Sequence, residues 1–186
     1  MPTPVGHALG GLIVGLWALP SNLSGSQAPQ GPHAGSDRAP RAGRSLLTLF
    51  AVVACAPDLD FVWGRHNMET HSLGFAIFIA VGVLAWRRSA RVAVGCALAV
   101  GTHVLFDWLG SDDFPPLGVM ALWPFSGEFY FANAFVFEAI SRRYWLPNFV
   151  QHNLMAMLRE VAILLPILGV TYFLRSRSQD TKDNGS

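Results

Sequence analysis

The chain has 186 residues, of which 52% are hydrophobic and only 13% charged, with a formal net charge of +1. An average soluble domain is about 25% charged, so this composition excludes a disordered or collagen-like chain. The near-neutral charge also supplies no basic face for nucleic acid, and we predict no nucleic-acid partner. We expect one apolar domain with the lipid bilayer as its surroundings.

Apolar runs predict helices in or near a bilayer. The five runs cover residues 5–20, 45–57, 72–86, 92–110 and 161–174. A helix needs roughly 20 apolar residues to cross a bilayer, and the fourth run has that length. We therefore expect an all-α fold, an integral membrane helical bundle of about four to five helices. The short second run also fits a buried core helix, so a compact helical protein is the alternative.

The segments between and after these runs define the domain organisation. Residues 1–174 are expected to form a single membrane-embedded domain. Residues 21–44 are rich in Gly, Pro, Ser and Ala, which predicts a flexible loop. Residues 111–160 carry many aromatic side chains and predict an extramembrane loop or interfacial helices, because amphipathic rings settle at the membrane boundary. Residues 175–186 are expected to be a disordered polar tail.

The basic residues predict an orientation. On a five-span arrangement, nine of them follow the first, third and fifth runs, and the other four lie on the opposite side. Cytoplasmic loops carry an excess of Lys and Arg, so we expect an outside N terminus. The nine are Arg38, Arg41, Arg44, Arg87, Arg88, Arg91, Arg175, Arg177 and Lys182.

Ionisable side chains converge on the face opposite these basic residues. Groups of this kind cost several kcal/mol in or near hydrocarbon unless they are paired, hydrated or metal-bound. Carboxylate oxygens with imidazole nitrogens suit zinc, manganese or iron. We therefore predict a divalent metal centre, with zinc as the first choice and manganese or iron as alternatives, toward the outer face. The candidate ligands are His7, Asp58, Asp60, His66, His71, His103 and Asp107.

The spacing of the pair on the fourth run supports this prediction. His103 and Asp107 are four residues apart, so on a helix they share one face and can reach one ion. A hydrogen bond between the two side chains is the alternative. Glu160, just before the fifth run, is expected to be a first-turn helix acid, with a distant metal ligand as the alternative.

The remaining candidates lie between the second and third runs. Asp58 and Asp60 follow a proline, which predicts a loop or a helix start, with helix capping as the alternative. We expect His66 in the loop and His71 at the start of the third helix, with Thr70 as its N-cap.

These residues predict metal-assisted hydrolysis. One or two ions would lower the pKa of bound water from about 15.7 toward 7. Asp58, Asp60 and His71 are the predicted catalytic residues, with Asp60 and His103 expected as direct ligands. Which group is the general base stays open. The alternative is a non-catalytic membrane scaffold or transporter with a structural metal or a polar cluster.

The same residues resemble those of the inner-membrane-associated metal-dependent hydrolases, a family also labelled LexA-binding. The resemblance covers roughly residues 5–126 and implies a membrane-bound hydrolase with a His/Asp metal centre, located in a bacterial inner membrane. Its elements follow the family's order: His7, the PDLD stretch 57–60, the HNMETHS stretch 66–72, His103 with Asp107, and the WPFS stretch 123–126.

One departure from the family pattern concerns the substrate. The family has HRGxTHS, whereas this chain has Asn67 and Met68 in place of the arginine and glycine, and Arg65 is a candidate replacement. The helical His and Asp ligands are also distantly similar to the zinc-dependent phospholipase C and single-strand nuclease group. That similarity implies a phosphoester or lipid-derived small-molecule substrate.

Overall fold

The computed structural model describes residues 1–19, 38–63, 66–112 and 115–183. These residues form helices and irregular segments without strands, which confirms the predicted all-α fold. The helices are α1 (Pro4–Ala18), α2 (Arg38–Ala54), a 3-10 helix (Ala56–Trp63), α3 (Leu73–Arg87), α4 (Ala90–Leu109) and α5 (Phe149–Asp183).

Two helical segments, Ala90–Leu109 and Phe149–Ser178, are long and apolar enough to cross a membrane. The segments Gly43–Ala54 and Ala56–Val62 are bent by 46° at their junction and make a third span if they count as one. α1 and α3 are apolar but have 15 residues each, about 22 Å of helix. The described residues therefore contain two or at most three candidate spans, and the four-to-five-helix membrane bundle is not confirmed.

The helix boundaries differ from those of the apolar runs. α2 begins at Arg38, inside the predicted loop, and α5 begins at Phe149 and continues to Asp183 through much of the predicted tail. An apolar run marks only the residues that favour hydrocarbon, whereas a helix already nucleated extends into polar sequence at little cost. The rest of the predicted loop, residues 21–37, lies outside the described residues.

α1 occupies the middle of the bundle and packs against α2, α4 and α5. Its glycines allow this packing, as small residues do between membrane helices. A Cβ on Gly11 would lie 2.8 Å from the Cβ of Ala54, and one on Gly15 would lie 2.8 Å from the ring of Phe50. The fully buried Phe50 ring also fills the space beside Gly95 of α4.

Two arginines hold the C-terminal end of α1. Arg91 Nε donates to the carbonyl of Ala18 at 2.7 Å, and Arg175 donates to the carbonyls of Trp17 and Leu19. The last carbonyls of a helix lack partners within it and favour cations. α4 and α5 are thus tied to the end of α1 that lies farthest from His7.

An irregular segment, residues 115–148, covers the opposite end of the bundle. It is joined to the start of α3, where the amides of Leu73 and Gly74 donate to the carbonyls of Ala121 and Trp123 at 2.9 and 3.1 Å. Its aromatic side chains include Phe125, which is 90% exposed. This segment frames the end of the bundle that contains the ionisable side chains.

Candidate metal centre

Four elements bring the predicted ligands together at one end of the bundle. His7 comes from the first turns of α1, Asp58 and Asp60 from the 3-10 helix, and His71 from the turn before α3. His103 and Asp107 lie one turn apart on α4, as predicted. All of these side chains are fully or almost fully buried except Asp58, whose side chain is 20% exposed.

Four ligand atoms of this cluster face one another. His103 Nε2 lies 3.0 Å from Asp107 Oδ2 and 3.7 Å from Asp58 Oδ1. His71 Nε2 lies 3.5 and 3.7 Å from the same two oxygens. A tetrahedral zinc site with bonds of about 2.0 to 2.2 Å has edges of about 3.3 to 3.6 Å between ligand atoms. Four of the distances between these atoms, 3.0 to 3.7 Å, are therefore close to the edges of a tetrahedral site.

The facing atoms do not satisfy one another by hydrogen bonding. Nε2 of His71, Nε2 of His103 and both carboxylate oxygens of Asp107 are buried without a hydrogen-bond partner. The large majority of buried side-chain polar atoms in proteins have such a partner. His103 and Asp107 therefore lie 3.0 Å apart without the geometry of a hydrogen bond.

The tautomer of His103 explains why. Its Nδ1 lies 2.7 Å from the carbonyl oxygen of Ala54, which only accepts, so Nδ1 carries a proton and donates. In the neutral ring, Nε2 then presents a lone pair toward Asp107, which is also an acceptor. A cation between these two acceptor atoms would bind to both of them. A fixed Nδ1 hydrogen bond is also typical of metal-ligating histidines.

His71 is held in a similar way by Asp60. Its Nδ1 lies 3.2 Å from Asp60 Oδ2, which also accepts a hydrogen bond of 2.9 Å from the hydroxyl of Thr70. Asp60 Oδ1 lies 2.7 Å from Nδ1 of His66, which is in the turn region as predicted. Asp60 therefore connects the two histidines, and His71 Nε2 is left facing the other carboxylates.

The prediction that Thr70 caps the third helix is wrong. Ser72 is the N-cap of α3, and its hydroxyl accepts from the amide of Phe75 at 3.0 Å. Thr70 and Ser72 are both good capping residues, and Thr70 is engaged by Asp60 instead. His71 accordingly lies just before the helix.

The surroundings of His71 attract positive charge. Burial lowers the pKa of its imidazole, but the neighbouring carboxylates of Asp58 and Asp60 outweigh this effect and raise the pKa from 6.5 to about 9. A site that binds a proton this strongly favours cations in general. A divalent ion would compete for the same position.

His7 and Glu160 extend the cluster toward α5. The His7 ring stacks on His103 with centroids 3.6 Å apart, and its Nε2 lies 3.4 Å from Asp107 Oδ1. The prediction of a first-turn acid at Glu160 is wrong, because α5 begins at Phe149. Its buried carboxylate accepts from the amide and hydroxyl of Thr3, at 2.7 and 2.5 Å. An acid inside an apolar helix was the signal for this role.

The comparison with known proteins identifies a family. The sequence matches the family model of the YdjM inner membrane protein over residues 1–178. This chain belongs to the YdjM family. The match confirms an inner-membrane family and, with the apolar helices, a membrane protein. No curated protein and no solved structure matches the chain.

Within this YdjM-family chain, the seven predicted ligands form one connected cluster. Its three overlapping groups can each hold a metal ion: His7 with His103 and Asp107, Asp58 with His71 and His103, and Asp60 with His66 and His71. Arg65, the candidate replacement for the family arginine, lies outside the described residues. Asn67 is buried and adopts a φ of 69°, and its carbonyl accepts from the amide of Met120.

Proposed function

We propose that this YdjM-family chain is a metal-dependent hydrolase that acts on a phosphoester or lipid-derived substrate. The observation that carries the proposal is the placement of His103 Nε2 3.0 Å from Asp107 Oδ2, both buried and without a hydrogen bond. Buried lone pairs that face one another favour a bound cation. Zinc is the first choice for two imidazoles with carboxylates, and manganese or iron are the alternatives.

The ligand roles follow from burial. His71, His103 and Asp107 are enclosed, and Asp58 alone among the four facing groups is partly exposed. Catalytic zinc sites use three protein ligands and keep one position open. We assign the three enclosed side chains as ligands and Asp58 as the group at the open side.

The proposed chemistry requires a water at that open side. A bound divalent ion would lower the pKa of such a water from about 15.7 toward 7. Asp58 is positioned to accept its proton as general base. Asp60 acts as a positioning residue, because its carboxylate holds His71 by Nδ1. His7 Nε2 and Asp107 Oδ1 offer a place for a second ion.

The proposed location is the outer face of the membrane. Arg91 and Arg175 bind the C-terminal end of α1, whereas His7 lies near its N-terminal end. The arginines assigned to the cytoplasmic side therefore lie at the other end of α1 from the cluster, which supports an outer-face site.

The first test is metal content. Elemental mass spectrometry on detergent-purified chain should give about one zinc, manganese or iron per chain, or two if His7 and Asp107 hold a second. H103A should lose the ion, and D60N should bind it roughly 10- to 100-fold more weakly. H152A is the matched control, because that histidine bonds to Ala139 outside the cluster. A native protein without metal after zinc and manganese are supplied would contradict the proposal.

The second test is turnover. The metal-loaded chain should hydrolyse a member of a phosphoester and lipid panel, and D58N should lose most of this activity while it keeps its metal. Metal retention without turnover of any substrate by the native chain would favour the structural-metal scaffold instead.

A further inference from the structure

A cavity of about 330 Å³ lies beside the cluster, between the irregular segment and the start of the chain. Its lining includes Met1, Ile140 and Trp145, which are apolar, and the arginines Arg142 and Arg143. The proposed hydrolysis assigns no role to this cavity. Its mixture of apolar surface and cations is suited to an amphipathic anion.

Contacts link this cavity to the outer edge of the cluster. The sulfur of Met1 lies 3.2 Å from Nε2 of His66, whose other ring nitrogen contacts Asp60. The guanidinium of Arg142 lies 4.4 Å from the centre of the Phe61 ring, and that ring stacks on His66 at 3.9 Å. The cavity therefore shares its wall with the ligand network.

The guanidinium groups of Arg142 and Arg143 can bind an anion. Among the described residues, neither Arg142 nor Arg143 forms an ion pair with a carboxylate, whereas Arg159 pairs with Glu138 at 3.3 Å. The carboxylate that lines the cavity, Asp112, accepts from the amide of Gly118 at 3.0 Å. The guanidinium groups can thus bind an incoming anion.

We propose that this cavity binds the phosphate group of an amphipathic substrate, with Arg142 and Arg143 as its specificity-determining residues. The inference rests on the proposed function, because it supplies the substrate's anchor beside the metal centre. Guanidinium forks match phosphate oxygens, and charge-assisted hydrogen bonds are the stronger kind. The apolar wall at Ile140 and Trp145 would contact the portion of the substrate next to the phosphate.

The test is binding to the full-length, metal-loaded chain in detergent, measured by titration calorimetry. Two probes separate the possible sources of the phosphate: inorganic phosphate and a short-chain phosphatidic acid below its micelle concentration. R142Q and R143Q should each weaken the binding of both probes about tenfold. R159Q is the matched control, because its guanidinium lies in a surface ion pair, and it should bind like the native chain.

Metal content is measured on the same samples, so that failure of the proposed function can be distinguished from failure of the cavity inference. A native chain without metal would contradict the proposed function. Unchanged binding of both probes by R143Q and R142Q, with the metal retained, would overturn the cavity inference, since phosphate would then bind to the ion alone. Because R142Q also removes the contact with Phe61, R143Q is the decisive variant. A larger loss for phosphatidic acid than for inorganic phosphate would identify a lipid source.

Discussion

A hydrogen bond to a backbone carbonyl determines what His103 can do. Because Ala54 accepts from Nδ1, the ring turns its other nitrogen toward the carboxylates as a lone pair. Asp60 has the corresponding effect on His71. The residues that orient His103 and His71 thus lie at the end of α2 and on the 3-10 helix, whereas the two histidines lie on α4 and in the turn before α3.

Glu160 is predicted to stabilise the fold through Thr3. E160A should lower the free energy of unfolding by about 2 to 6 kcal/mol, because it leaves two buried donors without an acceptor, each at about 1 to 3 kcal/mol. E160Q keeps an oxygen acceptor and should cost less. Thermal unfolding in detergent with the metal bound measures the difference.

Glu138 provides the control for this experiment. Its ion pair with Arg159 is exposed, with side-chain exposures of 43% and 46%, and such pairs contribute about 0 to 1 kcal/mol. E138A should therefore unfold close to the native temperature. If E160A also unfolded there, the Thr3 contact would not stabilise the protein.

At the residue scale, the sequence indicated which residues form the cluster better than it indicated what individual residues near it do. His103 and Asp107 follow helical spacing, and the other candidates lie at the ends of apolar runs, which the structure brings together at one end of the bundle. The roles of Thr70 and Glu160 could not be predicted. Thr70 has an equally good capping neighbour in Ser72, and the partner of Glu160 lies 157 positions away in the sequence.

At the element scale, the close approach of α1 and α2 depends on Gly11. G11A should destabilise the fold by about 1 to 3 kcal/mol, because the added methyl would meet Ala54 and the backbone of α2. G101A is the matched control, since a Cβ there has no described atom within 4 Å. The unfolding temperature of G101A should be equal to or higher than that of the native chain. An equal decrease of the unfolding temperature in both variants would refute the packing argument.

The helices themselves were predictable as apolar runs, but their ends were not. α2 and α5 both extend into polar sequence, because a helix satisfies its backbone hydrogen bonds whatever its side chains are. The 3-10 helix was expected only as a loop or helix start. This helix contacts α2 and α4, and the periodicity of a single apolar run does not report such contacts.

At the scale of the whole molecule, the proposed ion joins elements that are distant in the sequence. Chelation should therefore lower the unfolding temperature of the native chain. A ligand at about 1,000 times its Kd contributes about 4 kcal/mol, which corresponds to a shift of roughly 8 to 16 °C for a protein of this size. Calorimetry with and without chelator measures the shift.

The H103A variant is the control for chelation. It should unfold at a lower temperature than the native chain and show no further change when the chelator is added. A native protein whose unfolding is insensitive to chelator would contradict an ion at this position.

The order of the ligands along the chain has a consequence for biosynthesis. His7 and Asp107 mark the first and last of them, and α5 contributes none. Since ribosomes add about 5 to 20 residues per second, His7 leaves the ribosome several seconds or more before Asp107. Until α4 emerges, His7 has neither His103 nor Asp107 beside it, so an ion bound by the proposed centre would be taken up only after α4 has been synthesised.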